Sequence, residues 1–164
     1  NRLSQFARRQ GHGAYPGTAL GGLTDYPRLA EIAGIGAIGY HGVLITPASG
    51  ALLRVNTIYV SFENIPEQRR TEHDWVREFC SRCRKCIRLC PPKAIHEEPK
   101  AVPSAHECID ADACLDYFSR NFGCAICIDV CPFSQNGYET LAQRFKGNPG
   151  APRFDIPVER LTRP

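Results

Sequence analysis

The chain contains no methionine. Without an initiator residue it is expected to be processed, excised from a longer protein, or partial, and its location stays open between the cytoplasm and the membrane periphery. Long hydrophobic runs are also missing: Gly, His, Arg or Pro breaks each apolar stretch well before the roughly 18 residues that a spanning helix needs, so no transmembrane segment is expected. No signal or lipidation pattern stands out. Charge of one sign is scarce, with 20 basic against 17 acidic side chains and a net charge of +3. That is too little to imply nucleic acid, and no aromatic stacking platform suggests it either. The length of 164 residues with 43% hydrophobic and 23% charged content excludes disorder and collagen and suits one domain or two small ones.

What the chain does have is nine cysteines, all in its second half. Cys80, Cys83, Cys86 and Cys90 form C-x2-C-x2-C-x3-C followed by Pro91, and Cys124, Cys127 and Cys131 form C-x2-C-x3-C followed by Pro132. These are one complete and one shortened copy of the run by which bacterial ferredoxins hold [4Fe-4S] clusters. Two-residue gaps let three thiolates curl around one cube, and a short helical turn carries the fourth away from it. The ligation is therefore expected to cross: Cys80, Cys83 and Cys86 with the distant Cys131, and Cys90 with Cys124 and Cys127. The second set is one ligand short, because Asn121 stands where a full repeat would have Cys. Cys108 and Cys114 are both spare. Cys114 lies in a helix-forming segment that runs straight into Gly123 and Cys124, so it is assigned as the missing ligand and Cys108 as unliganded. If Cys114 failed to reach, a three-iron form would result. A closed zinc site of two C-x2-C knuckles does not match a tight run of four ended by Pro. A disulfide framework would be expected in a shorter secreted chain with an even count.

The first half reads differently. Residues 1–22 look like loop, charged at first and then rich in Gly. Asp25 caps a helix with Pro27 in its first turn and Gly34 as its stop. Val43 to Thr46 and Leu52 to Phe62 suggest two strands joined around residues 47–50 as a hairpin. Residues 92–112 read as a polar insertion, and residues 137–145 as a short helix. Gly34-Ile-Gly36-Ala-Ile-Gly39 matches G-x-G-x-x-G literally. A dinucleotide site needs a strand before it, a helix after it and an acidic residue some 20 positions on. Here the order is inverted and position 56 is Asn, so a tight turn allowing close backbone approach is the expectation.

Together, Leu29-Ala30 through the glycine turn to Gly42-Val-Leu-Ile-Thr-Pro47, the Val76-Arg-Glu-Phe-Cys80 segment and the cysteine runs resemble the C-terminal portion of corrinoid-dependent reductive dehalogenases. The related epoxyqueuosine reductases share much of this, and the resemblance spans roughly residues 20–135. In both families a helix like Ile109-Asp110-Ala-Asp-Ala-Cys114 precedes the shortened run, which supports Cys114 as a ligand. The resemblance implies an α+β fold: a partial nitroreductase-like α/β element at residues 1–66, then a bacterial-ferredoxin-like 2[4Fe-4S] module at 67–147, then an extended Pro-rich tail at 148–164. It also implies that Gly36, Gly39, Gly42, Ile45 and Thr46 lie along a corrinoid (cobalamin), with Tyr40 and His41 nearby. The upstream half of those families, with its catalytic Tyr, has no counterpart here. Leu52 stands near the place of their basic residue after the LITP turn, and Arg54 is the nearest candidate.

The function expected is electron transfer through two [4Fe-4S] clusters to a redox centre. Reduced flavodoxin or ferredoxin would be the donor, steered by Arg82, Arg84, Lys85, Arg88 and Lys93, and another chain or a missing N-terminal half would be the partner. The alternatives are a cobalamin-dependent reductive dehalogenase or epoxide-type reductase completed by that missing part, and an assembly subunit whose clusters are structural.

Overall fold

The computed structural model describes residues 2–18, 24–64, 71–102 and 105–147; the tail expected at 148–164 and most of the connection at 64–71 lie outside them. The chain begins with α1 (Arg2–Arg9) and β1 (Ala14–Pro16), where the sequence suggested loop. The buried face of α1 consists of Ser4 and Ala7 while Leu3 and Phe6 are exposed, so no apolar stripe announced it. β1 pairs antiparallel with β4 (Ile58–Val60), matching Tyr15 to Tyr59.

α2 (Tyr26–Ile32) forms as its sequence dictates. The Asp25 carboxylate accepts from the Arg28 amide, Pro27 sits in the first turn, and Gly34 follows the end at φ +69°. The next two strands are not the pair expected. β2 (Ala37–Ile38) and β3 (Leu44–Ile45) pair with each other, so the hairpin closes around residues 39–43 and Thr46–Gly50 is only a bridge beyond it. The β-branched run after Leu52 goes to β1 instead. Close approach at Gly36 decides this: a Cβ there would lie 2.1 Å from the Ile45 carbonyl oxygen, so only glycine lets the two chains meet.

α3 (Trp75–Cys83) and α4 (Lys85–Leu89) are separated by Arg84, left-handed at φ 50°. The polar insertion turns out to be a hairpin, β5 (Ile95–Val102) with β6 (Ala105–Ile109). α5 (Ala111–Arg120), α6 (Ile126–Asp129), α7 (Pro132–Asn136) and α8 (Tyr138–Gly147) complete the described chain. The largest core joins both halves. Ala37, Ile45 and Ala51 pack with Trp75, Val76, Phe79, Phe133, Leu141 and Phe145. Within it the Trp75 indole donates to the Tyr138 hydroxyl at 2.9 Å, and that oxygen lies 2.6 Å from His73 Nδ1. Because the hydroxyl accepts from Trp75, its own proton is free to go to His73. This core clamps α3 against α7, with Cys80 and Cys83 on its edge and Cys131 inside it.

Candidate iron–sulfur centre

The left-handed Arg84 turns the chain sharply between α3 and α4, which swings Cys86 back toward Cys80 and Cys83. Cys131 reaches the same place from the start of α7. These four sulfurs share one small, partly enclosed cavity, lined also by His41, Phe79, Lys85 and Phe133. Burial raises the Cys80 thiol strongly, with Cys131, Cys86 and Cys83 adding to it and the Tyr40 amide opposing. Burial likewise pushes Cys86 up to about 12 and Cys131 up to about 11; the Phe133 and Ser134 amides favour the Cys131 thiolate. Cys83 is raised mainly by burial, against the Lys85 amide and the charges of Arg88 and Lys85.

The other group gathers between α4, α5 and α6. Cys114 is raised by burial and then by Cys90 and Cys124. Cys127, pushed up to about 11 mainly by burial, is next influenced by Cys124, Cys90 and Cys114. Cys127 also acts on Cys86 and Cys131, so the two groups adjoin. Cys108 stands apart. It is buried with Ala30, Ile38 and Leu44, hydrogen-bonded by the Gly42 amide, and the charges acting on it are Arg77, Glu31 and Asp25.

Among the described residues no three His, Cys, Asp or Glu side chains close on a single metal ion. A cube carries one thiolate on each of four irons, so its ligands surround a space and do not converge on a point. Thiols that burial keeps protonated at neutral pH are the donor set that metal binding would deprotonate.

No protein-family profile matches the chain. It is 33% identical over 143 residues to the tetrachloroethene reductive dehalogenase of Sulfurospirillum multivorans, a match covering 81% of this chain and 28% of that protein. It is 31% identical over 139 residues to the epoxyqueuosine reductase of Atelocyanobacterium thalassa, covering 77% of this chain and 43% of that one. A solved reductive dehalogenase, described as carrying out B12-dependent dehalogenation, superposes with a TM-score of 0.74 at 21% identity over 88% of this chain and 22% of its own. The epoxyqueuosine reductase from Streptococcus thermophilus gives 0.58 at 20% identity, over 82% and 37%. Over about four fifths of its own length the chain is similar to reductive dehalogenases and epoxyqueuosine reductases. It spans less than half the length of these relatives.

The glycine stretch makes close contacts within the chain. Gly36 lies under the Ile45 backbone, Gly39 under the Ile45 and His41 side chains, and Gly42 at φ +79° near Cys108. Ile45 is fully buried, and the buried Thr46 hydroxyl accepts from the Ser49 amide. At Gly36 and Gly39 these contacts fill the side on which a Cβ would stand. Tyr40 and His41 face the cysteine side: the Tyr40 hydroxyl donates to Glu98 at 3.1 Å, and burial holds His41 down to about 4. Arg54 lines a separate open cavity of about 290 Å³ with Tyr26, Val43, Leu44 and Val55.

The basic cluster is largely engaged. Arg82 pairs with Glu78 at 2.5 Å and lies over the Phe145 ring, and Arg84 pairs with Glu97 and Glu98. Lys85 is buried, and Arg88 donates to the Cys83 carbonyl at 2.9 Å. Sequence reasoning missed the acidic partners on β5 because it read that segment as an insertion. It also missed the Tyr40 amide at Cys80, which no spacing rule reveals.

Proposed function

We propose that the chain is the iron–sulfur module of a reductive-dehalogenase-like protein. Cys80, Cys83, Cys86 and Cys131 hold one [4Fe-4S] cluster, and Cys90, Cys114, Cys124 and Cys127 hold a second. The observation that carries this reading is the sorting of eight thiols into two adjoining foursomes while Cys108 keeps to an apolar cluster. Bound clusters of this type supply one-electron chemistry over a wide range of potentials. The protein's part is to hold and insulate them. Phe79 and Phe133 wall the first site from water, and the Tyr40, Phe133 and Ser134 amides donate toward its sulfurs. Hydrogen bonds and burial of this kind set a cluster's potential. The adjacency of the two foursomes through Cys127 suits passage of single electrons between them.

A reduced flavodoxin- or ferredoxin-type donor remains the proposed partner. Its docking charge falls mainly to Arg88 and Lys93, since Arg82 and Arg84 are neutralised by their own glutamates. A second reading is a complete cobalamin-dependent reductase whose pocket is finished by residues beyond this chain. The likeness to reductive dehalogenases and the open cavity at Arg54 favour it.

Spectroscopy of anaerobically purified chain during reduction tests the proposal. Two clusters that bleach in the visible and give EPR signals on one-electron reduction, without corrinoid bands, are the expected result. Clusters that no low-potential reductant can reduce would defeat the relay and leave the structural role, and tightly bound corrinoid would favour the enzyme.

A further inference from the structure

The turn of the β2–β3 hairpin holds an imidazole that the proposed electron path leaves unused. His41 is 5% exposed. Its Nδ1 accepts from the Val43 amide at 3.1 Å, so the neutral ring carries its proton on Nε2. Nε2 is buried and has no hydrogen-bond partner among the described residues. Buried N–H groups rarely stay unpaired in a native fold, which points to an acceptor outside the described residues. The ring lines the cavity shared by Cys80, Cys83, Cys86 and Cys131.

The hairpin is shaped to keep the ring there. A Cβ at Gly39 would stand 2.9 Å from His41 Cε1 and 3.3 Å from Nδ1, so a larger residue at 39 would displace the imidazole. The preceding residue already serves the same site, because the Tyr40 amide donates to Cys80. One turn thus delivers two N–H groups to one set of sulfurs.

We propose that His41 is a positioning residue that sets potential. Its Nε2–H donates a hydrogen bond to a sulfur of the cluster held by Cys80, Cys83, Cys86 and Cys131, which favours that cluster's reduced form. This rests on the function proposed above. No proton is transferred: the electron comes from an external reductant, stays on iron, and makes the sulfurs better acceptors, so the bond strengthens on reduction and raises the potential.

The test is an EPR-monitored redox titration of the full chain, with dithionite as reductant. In His41→Phe, one of the two clusters should shift by about tenfold toward the oxidised form at a fixed potential, a fall of about 59 mV for a one-electron couple, while the other stays put. His41→Gln, which restores a donor, should recover part of the shift. Unmoved potentials in a His41→Phe chain with full iron would overturn the inference and leave the function proposal standing, whereas a wild-type chain that takes up no iron would overturn both. If His41→Phe fails to assemble, wild-type chain labelled with 15N-histidine decides. A nitrogen coupling to the reduced cluster is expected, and its absence overturns the assignment.

Discussion

Cys108 and Cys114 flank the same helix start and meet opposite fates. Asp110 caps α5, and the chain entering it leaves Cys108 on β6 against Ala30 and Leu44, while Cys114 in the first turns of α5 faces Cys90 and Cys124. Cys114→Ser is therefore expected to lower bound iron from about eight atoms per chain to about seven, with a three-iron form at the second site, or to about four where that site is lost. Cys108→Ala should leave iron content unchanged, and iron and sulfide assays of the two variants check both. The cysteine spacing alone suggested which thiols belong together, because ligand spacing is a local property of sequence. The residues that surround them were not legible. Tyr40 and His41 come from a hairpin well before the cysteine run, Glu97 and Glu98 from the strand just after it, and no periodicity links any of them to it.

Among the elements, those with strong local signals appeared where expected. α2 has Asp25 and Pro27 at its start and a left-handed Gly34 after its end, and α5 has Asp110, whose carboxylate accepts from the Ala113 amide at 3.0 Å. Asp110→Ala should cost about 1 kcal/mol of stability and loosen the helix that carries Cys114, measurable by denaturant unfolding and by slower reconstitution of one cluster. The hairpins were harder to read. β3 falls within the strand expected at Val43 to Thr46, but β2 is two buried residues that no alternation could mark, and the glycines that allow their close pairing looked like a nucleotide motif. Gly36→Ala, whose Cβ would press on the Ile45 carbonyl, should destabilise the chain by about 1–3 kcal/mol or more; thermal unfolding checks it. α1 was missed because its inward face is Ser4 and Ala7.

At the level of the whole molecule, one core serves both halves, since Ile45 and Ala51 from before the cysteines pack with Phe79, Phe133 and Leu141 from among and after them. Leu141 is fully buried there, so Leu141→Ala should cost about 2–5 kcal/mol, read by denaturant midpoint. Because the first site's walls are part of this core, removing iron with a chelator should also lower the melting temperature, as for other sites where binding is coupled to folding; circular dichroism before and after chelation reads this out. Among the described residues no helix is long and apolar enough to cross a membrane. The chain's proposed place is as part of a larger reductase, consistent with its spanning 28% and 43% of two relatives. The most direct measurement is Mössbauer spectroscopy with metal and sulfide analysis on iron-57-enriched chain purified without oxygen. About eight irons and eight sulfides per chain, in spectra of two cubane clusters, is the expected result. Zinc in place of iron, or iron without acid-labile sulfide, would contradict the assignment of the eight cysteines.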